Sequence, residues 1–328
     1  GTVCSAAVSG ALTHTADITI DVLTDKTLTY TGTAISVGAN TLILTGGGNL
    51  VSGGLTLNDT SSKLLLNSIT VDSVSTAVDN SLGLDVDADS TISSLSIAHI
   101  TPVSIANTKT LSGAITVTAG SIKLAETGTL ASSISMSGGV LDADNSLTVS
   151  GALTQSGNIT IDVLTDKTLT YSGTAISLGA NTLTLSGGGT FSNTNALVLN
   201  DENSLLSLAG ILTIGDVEGT AASNTSKGIQ VSSSATLGDY DLSAESYLAI
   251  ANLQTLAGQL NLKSGGELNI SGLGRYTGDI ALAGGKFSAT DSQVLSGTLS
   301  ITADSELAVS ENYTLTLSQT GGLSLGAN

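Results

Sequence analysis

Internal repetition constrains this chain more than any other feature of its sequence. Thirteen consecutive residues, Ile18 to Tyr30, return unchanged as Ile159 to Tyr171, and residues 8–48 match 149–189 at 33 of 41 positions. Most exceptions are mild: Thr31 becomes Ser172, Val37 becomes Leu178 and Thr45 becomes Ser186. After Gly189 the register slips by one, since Leu55-Thr-Leu-Asn-Asp59 returns as Leu197-Val-Leu-Asn-Asp201. A third copy opens near Ser296-Gly-Thr-Leu299 and runs to Leu323-Ser-Leu-Gly-Ala-Asn328, matching Ile35 to Asn40 and Ile176 to Asn181. The copies thus occupy about 8–148, 149–295 and, in part, 296–328, a unit of about 141–147 residues. Such self-similarity points to structural units stacked on their neighbours.

A shorter beat runs inside each copy. Alternating runs such as Ile159-Thr-Ile161, Thr168-Leu-Thr-Tyr171, Thr182-Leu-Thr-Leu185 and Ala196-Leu-Val-Leu199 are bounded by Gly, Asn, Asp or Ser, which is strand and turn punctuation. One proline and no Asn-Gly or Asp-Gly turn suit a coil better than a series of hairpins. The expected fold is all-β: a single continuous parallel β-helix, or solenoid, over 1–328, with three sides per turn. Rungs of about 20 to 25 residues would give about 15 of them and a length of about 70 Å. Leu, Ile and Val are expected to stack inside, with Thr, Ser, Asp and Asn outside and glycines such as Gly46-Gly-Gly48 and Gly187-Gly-Gly189 at corners. The competing fold is a pair of tandem β-sandwiches joined near residue 145, where nothing reads as a linker.

Composition narrows the functions. Charged residues are 11% of the chain and hydrophobic ones 40%, so the polar surface is mostly neutral Ser, Thr and Asn over a core large enough to fold. Nine Lys and Arg against 27 acids, a net charge of −18, speak against nucleic acid, which needs clustered bases. Six Tyr, two Phe and no Trp leave little with which to stack sugar rings. No run approaches the ~18 apolar residues of a membrane span, so membrane insertion is not expected, and no signal-peptide pattern opens the chain. The single cysteine, Cys4, has no internal disulfide partner. It is expected to be a small residue near the chain end, with an intermolecular bond as the alternative.

Segments such as Leu183-Thr-Leu-Ser-Gly-Gly-Gly189, Leu260-Asn-Leu-Lys-Ser-Gly-Gly-Glu-Leu-Asn269 and Ser296-Gly-Thr-Leu-Ser-Ile301 resemble the passenger regions of bacterial autotransporters and filamentous-haemagglutinin-type adhesins. The resemblance spans nearly the whole chain as a texture and lacks a diagnostic motif. It implies a right-handed β-helix displayed at the cell surface for adhesion or a structural role. The C-terminal membrane barrel of an autotransporter has no counterpart here.

Candidate chemistry is sparse. Asp85-Val-Asp-Ala-Asp89 is the densest acidic cluster, and on a strand its three carboxylates would form a row about 6.5 to 7 Å apart. Such a row suits Ca²⁺, although the EF-hand pattern is missing, or the acid–base pair of an inverting glycosidase. The plainer reading is a solvated face, and it holds also for Asp142/Asp144 and Asp239/Asp241. Ser9, His14 and Asp17 contain the residue types of a hydrolase triad, but Gln155 replaces His14 in the second copy. His14, His99 and Cys4 are too few and too scattered for zinc. Asp25-Lys26 and Asp166-Lys167 are expected at solvated turns. Thr-x-Thr at Thr27/Thr29, Thr168/Thr170, Thr182/Thr184 and Thr314/Thr316 raises ice binding, which would need the motif on consecutive rungs. Sequons such as Asn58-Asp-Thr60 and Asn312-Tyr-Thr314 are expected by chance in so Asn- and Thr-rich a chain.

These readings predict no enzyme and no cofactor or metal. They predict an extracellular structural protein, the subunit of a cell-surface filament whose partner is itself. Both chain ends stop in mid-pattern, where solenoids normally turn polar, so head-to-tail stacking is expected through Val3, Cys4, Leu323 and Leu325. The alternative is a stalk or passenger fragment of a larger adhesin with a cell-surface or host ligand bound elsewhere. A polysaccharide-acting β-helix enzyme is a distant third.

Overall fold

The structure, a computed structural model, describes residues 5–210, 213–318 and, as backbone, 323–325. The chain forms two compact units, 1–154 and 155–328, each a parallel β-solenoid without helix among the described residues. One strand per turn joins a first sheet. Seven such strands lie in the first unit, from Ile18–Asp21 to Val140–Ala143, and eight in the second, from Ile159–Val163 to Glu306–Val309, about fifteen turns among the described residues. The remaining two sides of each turn belong to a second sheet. They are separate short strands, as in Thr129–Leu130 and Ser133–Met136, or one long bent strand, as in Ser90–Ile97 and Ala235–Leu242. The long strands bend where the register shifts, between Ile92 and Leu95 and between Thr236 and Asp239. The three sides and the parallel coil are as the repeat predicts. In-register partners lie 19 to 24 residues apart, from Leu84↔Val103 to Ile18↔Leu42.

The core follows from the alternation within each strand. Thr182–Ser186 buries its second and fourth residues and leaves the others half-buried. Because the pairing is parallel and in register, buried residues fall on buried residues. In the first unit Leu42, Leu64, Leu84, Val103 and Leu124 stack in one ladder. In the second, Ile161, Leu185, Leu208, Val231 and Ile250 do the same. Each such side chain, removed from water, contributes roughly 1.5–3 kcal/mol. One repeated polar group inside is matched to backbone in both copies. Ser62 and its copy Ser204, both fully buried, donate to Gly38 O and Gly179 O at 2.6 Å and accept the amides of Asp59 and Asp201.

The corners show why Leu-Asn-Asp was copied. Asn58 and Asn200 each accept, through Oδ1, the amide of Gly38 or Gly179 one turn away, both at 2.9 Å. Asp17 and Asn158 likewise accept Thr41 N and Thr182 N. A short Asx side chain thus joins one turn to the next where the strand ladder is interrupted. Glycine is required where turns touch. A Cβ on Gly278 would sit 1.8 Å from Gly258 O, and one on Gly297 would sit 2.0 Å from Gly278 O, so three successive turns meet backbone to backbone.

Candidate functional site

The predicted chemistry disperses once the turns are built. The strand carrying Asp85 runs from Gly83 to Val86 and ends there, so Asp87 and Asp89 leave its face and the expected row of three carboxylates does not form. Asp85 pairs with Lys63 on the preceding turn, and Asp89 Oδ1 accepts Thr110 N at 2.9 Å. His14 Nδ1 faces Ala16 O at 3.1 Å, and Asp17 Oδ1 is taken by Thr41 N at 2.7 Å, so Ser9, His14 and Asp17 form no hydrogen-bonded triad. His99 Nδ1 lies 3.3 Å from Asp79. The amide of Ile100, and then His99, hold the Asp79 carboxyl below its usual range. Among the described residues no three His, Cys, Asp or Glu side chains are grouped to hold a metal ion. Asp25 and Asp166 occupy matching turns with positive φ, 60° and 63°, and both are exposed. Val3 and Cys4 lie outside the described residues. Leu323–Leu325 forms a backbone strand paired with Leu299 to Ile301.

Charge and neutrality are instead sorted onto different faces. The outer side of the first sheet carries ion pairs between turns. Lys123 Nζ lies 3.4 Å from Asp142 and 3.6 Å from Asp144, which raise its pKa in that order. In the second unit Glu245, Glu267, Lys286 and Glu306 form one column in register. Lys286 Nζ is 2.9 Å from Glu267 and 3.9 Å from Glu306, and Tyr247 Oη and Asn269 Nδ2 donate to Glu245 at 2.8 and 3.0 Å. Beside this column lies an open groove of about 450 Å³, lined by Gly265, Gly284, Asp304 and Ser305 among others. Its lysine is spent on neighbouring carboxylates.

The outer side of the second sheet in the first unit is neutral apart from Asp72. Ser36, Thr56, Ser75, Ser96, Thr116 and Ser135 stack in register over six turns. Thr110, Thr129 and Thr148 form a second column. Hydroxyls bond to one another and to backbone, as in Thr56 Oγ1 to Ser75 Oγ at 3.3 Å and Ser133 Oγ to Gly113 O at 3.4 Å. These columns escape sequence reading because their members are 19 to 21 residues apart. The corresponding column of the second unit is broken by Glu218 and Asp241. Thr-x-Thr does not stack on itself: Thr27 pairs with Asn49, and Thr182 with Leu205.

Apolar side chains at Leu253 and Leu273, 88% and 69% exposed, and at two further places remain open among the described residues. On the strand Glu306–Val309, Leu307 and Val309 pair with Phe287 and Ala289 of the previous turn. The partners are fully buried, whereas Leu307 and Val309 are 40% and 43% exposed. In the first unit Val8, Leu12, Ile20, Leu28, Tyr30, Ile35 and Leu50 line an apolar cavity of about 200 Å³. Their copies, Val149, Leu153, Ile161, Leu169, Tyr171, Ile176 and Phe191, are all buried. Phe191 stands where Leu50 stands and stacks on Tyr171 with ring centroids 6.1 Å apart.

The fold places the chain in the class of parallel β-solenoids, stacked proteins whose turns contact only their neighbours. Comparison with known protein families, with curated proteins and with solved structures finds no match. Nothing in these comparisons identifies the chain as an autotransporter passenger or a haemagglutinin-like adhesin.

Proposed function

We infer that this chain is a structural protein of the cell exterior, a stiff β-solenoid that lengthens by laying turn upon turn onto a further copy of itself. The observation that carries this reading is the turn Glu306–Val309. Its two ladder residues are exposed where their register partners one turn back are fully buried, and an exposed apolar ladder is a surface on which a further turn, of this chain or of a second copy, can be laid. A contact between two different ends is heterologous, so it propagates. The neutral hydroxyl columns suit a rod that packs without stripping ions of water, and nine Lys and Arg in 328 residues give trypsin-like proteases few sites.

Negative-stain electron microscopy over a dilution series tests this. Fibres one solenoid wide are expected for the wild type and short particles for Leu307→Asp/Val309→Asp, which places charge on the open ladder. Short rods at every concentration would overturn the filament reading and leave a spacer within a longer adhesin.

A further inference from the structure

The apolar cavity of about 200 Å³ in the first unit lies inside the coil. Leu28 and Tyr30 line it from one side of a turn, Ile20 and Ile35 from the other two, and Leu50 from the next turn, in register with Leu28. Tyr30, Ile35 and Leu50 are buried. The one polar side-chain atom of this lining, Tyr30 Oη, already accepts Leu12 N at 2.9 Å. No side chain there carries a charge. A water needs two to four polar partners to stay, so apolar cavities of ~150 Å³ remain dry and take up benzene. An empty space also denies its lining the dispersion contacts that a guest restores.

The second unit shows what fits against these residues. Ile20, Leu28, Tyr30 and Ile35 recur unchanged as Ile161, Leu169, Tyr171 and Ile176, all buried. At the place of Leu50 stands Phe191, whose ring stacks on Tyr171 with centroids 6.1 Å and planes 22° apart. The second unit thus holds an aromatic ring of its own on its tyrosine. Among the described residues no ring stacks on Tyr30. The first unit also has a way in. Val8 lines the cavity and is 48% exposed, whereas its copy Val149 pairs with Leu130 of the turn before and is buried. The cavity therefore opens to solvent beside Val8.

We propose that this cavity is a binding site for a small uncharged molecule built on one aromatic ring, which enters past Val8 and stacks on Tyr30 as Phe191 stacks on Tyr171. A space a little larger than one that takes benzene suits a ring with one short substituent. An ionised ligand is excluded, because its charge would be buried without a partner. The face of Tyr30 favours a ring over an aliphatic guest of the same size. Binding here is independent of any contact made at the end turn Glu306–Val309.

The test is an NMR titration with toluene of the full chain carrying Leu307→Asp/Val309→Asp, which keeps particles short. Saturable shifts confined to the methyl signals of Leu28, Ile35, Leu50 and their neighbours are expected. Cyclohexane, similar in size but without a π face, should bind about two- to tenfold more weakly, and benzoate should leave these signals unmoved. Leu50→Phe, which supplies the ring that the second copy carries, should weaken toluene binding about tenfold or more. Its melting temperature should be no lower than that of the parent, since it fills a void. Ile35→Phe fills the cavity from another side of the turn and should act alike. No saturable toluene binding, binding unchanged in both filled variants, or cyclohexane or benzoate bound as tightly as toluene would each overturn the proposal.

Discussion

Replacing Gly278 by alanine tests whether the turns are as closely stacked as the backbone contacts require. The added Cβ would meet Gly258 O at 1.8 Å and Gly258 N at 2.5 Å, whereas ordinary contact begins at 3.4 Å. Both clashing atoms belong to backbone, so no side chain can swing aside and the two turns must part. They are held there by Thr277 N to Leu256 O at 2.8 Å and by Tyr276 Oη, which donates to Gly258 O at 3.0 Å. Loosening two hydrogen bonds costs about 1 kcal/mol each, and overpacking a filled interior a further ~1–3 kcal/mol. The sum is about 3–5 kcal/mol, a fall in Tm of about 6–20 °C for a cooperative unit of this size. Thermal unfolding followed by circular dichroism measures it, with Gly53→Ala as control, since a Cβ there comes no closer than 3.4 Å to any atom. A Gly278→Ala chain melting within about one degree of wild type would refute the backbone-to-backbone stacking of these turns.

Two pH dependences follow, one from buried tyrosines and one from a half-buried carboxylate. Burial raises the pKa of Tyr240, whose Oη bonds Ser246 Oγ at 2.7 Å, and of Tyr276 far above the ordinary tyrosine value. A group whose neutral form is favoured by folding contributes stability that is fully present below its unfolded pKa of about 10 and lost as pH rises. Phenolate absorbance from these two residues should therefore appear only together with loss of the β-sheet signal, and earlier ionisation would mean the core admits water. At the acid end, burial raises the Asp241 pKa, but Lys263, at 2.6 Å, and Asn261 outweigh it and the net shift is downward. Its contribution is present above the unfolded carboxylate pKa of about 3.9 and lost as pH falls through the lower folded value. Asp241→Asn should lower the melting temperature at neutral pH and leave it unchanged at strong acid; an equal loss at both would refute the ion pair as its source.

Much of the fold was legible because a solenoid writes its own period. Alternation of Thr with Leu in Thr182 to Leu185 states which residues face inward, and the unchanged copy from Ile18 to Tyr30 shows that one local structure is built twice. The candidate chemistry was less legible. Asp85, Asp87 and Asp89 share a face only if the strand continues, and it stops at Val86 because the chain turns a corner that no residue there announces. The Ser36 to Ser135 column and the Leu253–Leu273 pair are invisible for a different reason, since their members are a full turn apart. The sequence by itself determined an all-β coil, the residues of its core and its scarcity of positive charge, all properties of neighbours two residues apart or of simple composition. Only the tertiary structure decided which side chains from different turns lie together. That depends on turn lengths varying from 19 to 24 residues and on which corner absorbs each extra residue, so the members of a column follow no fixed spacing in the sequence.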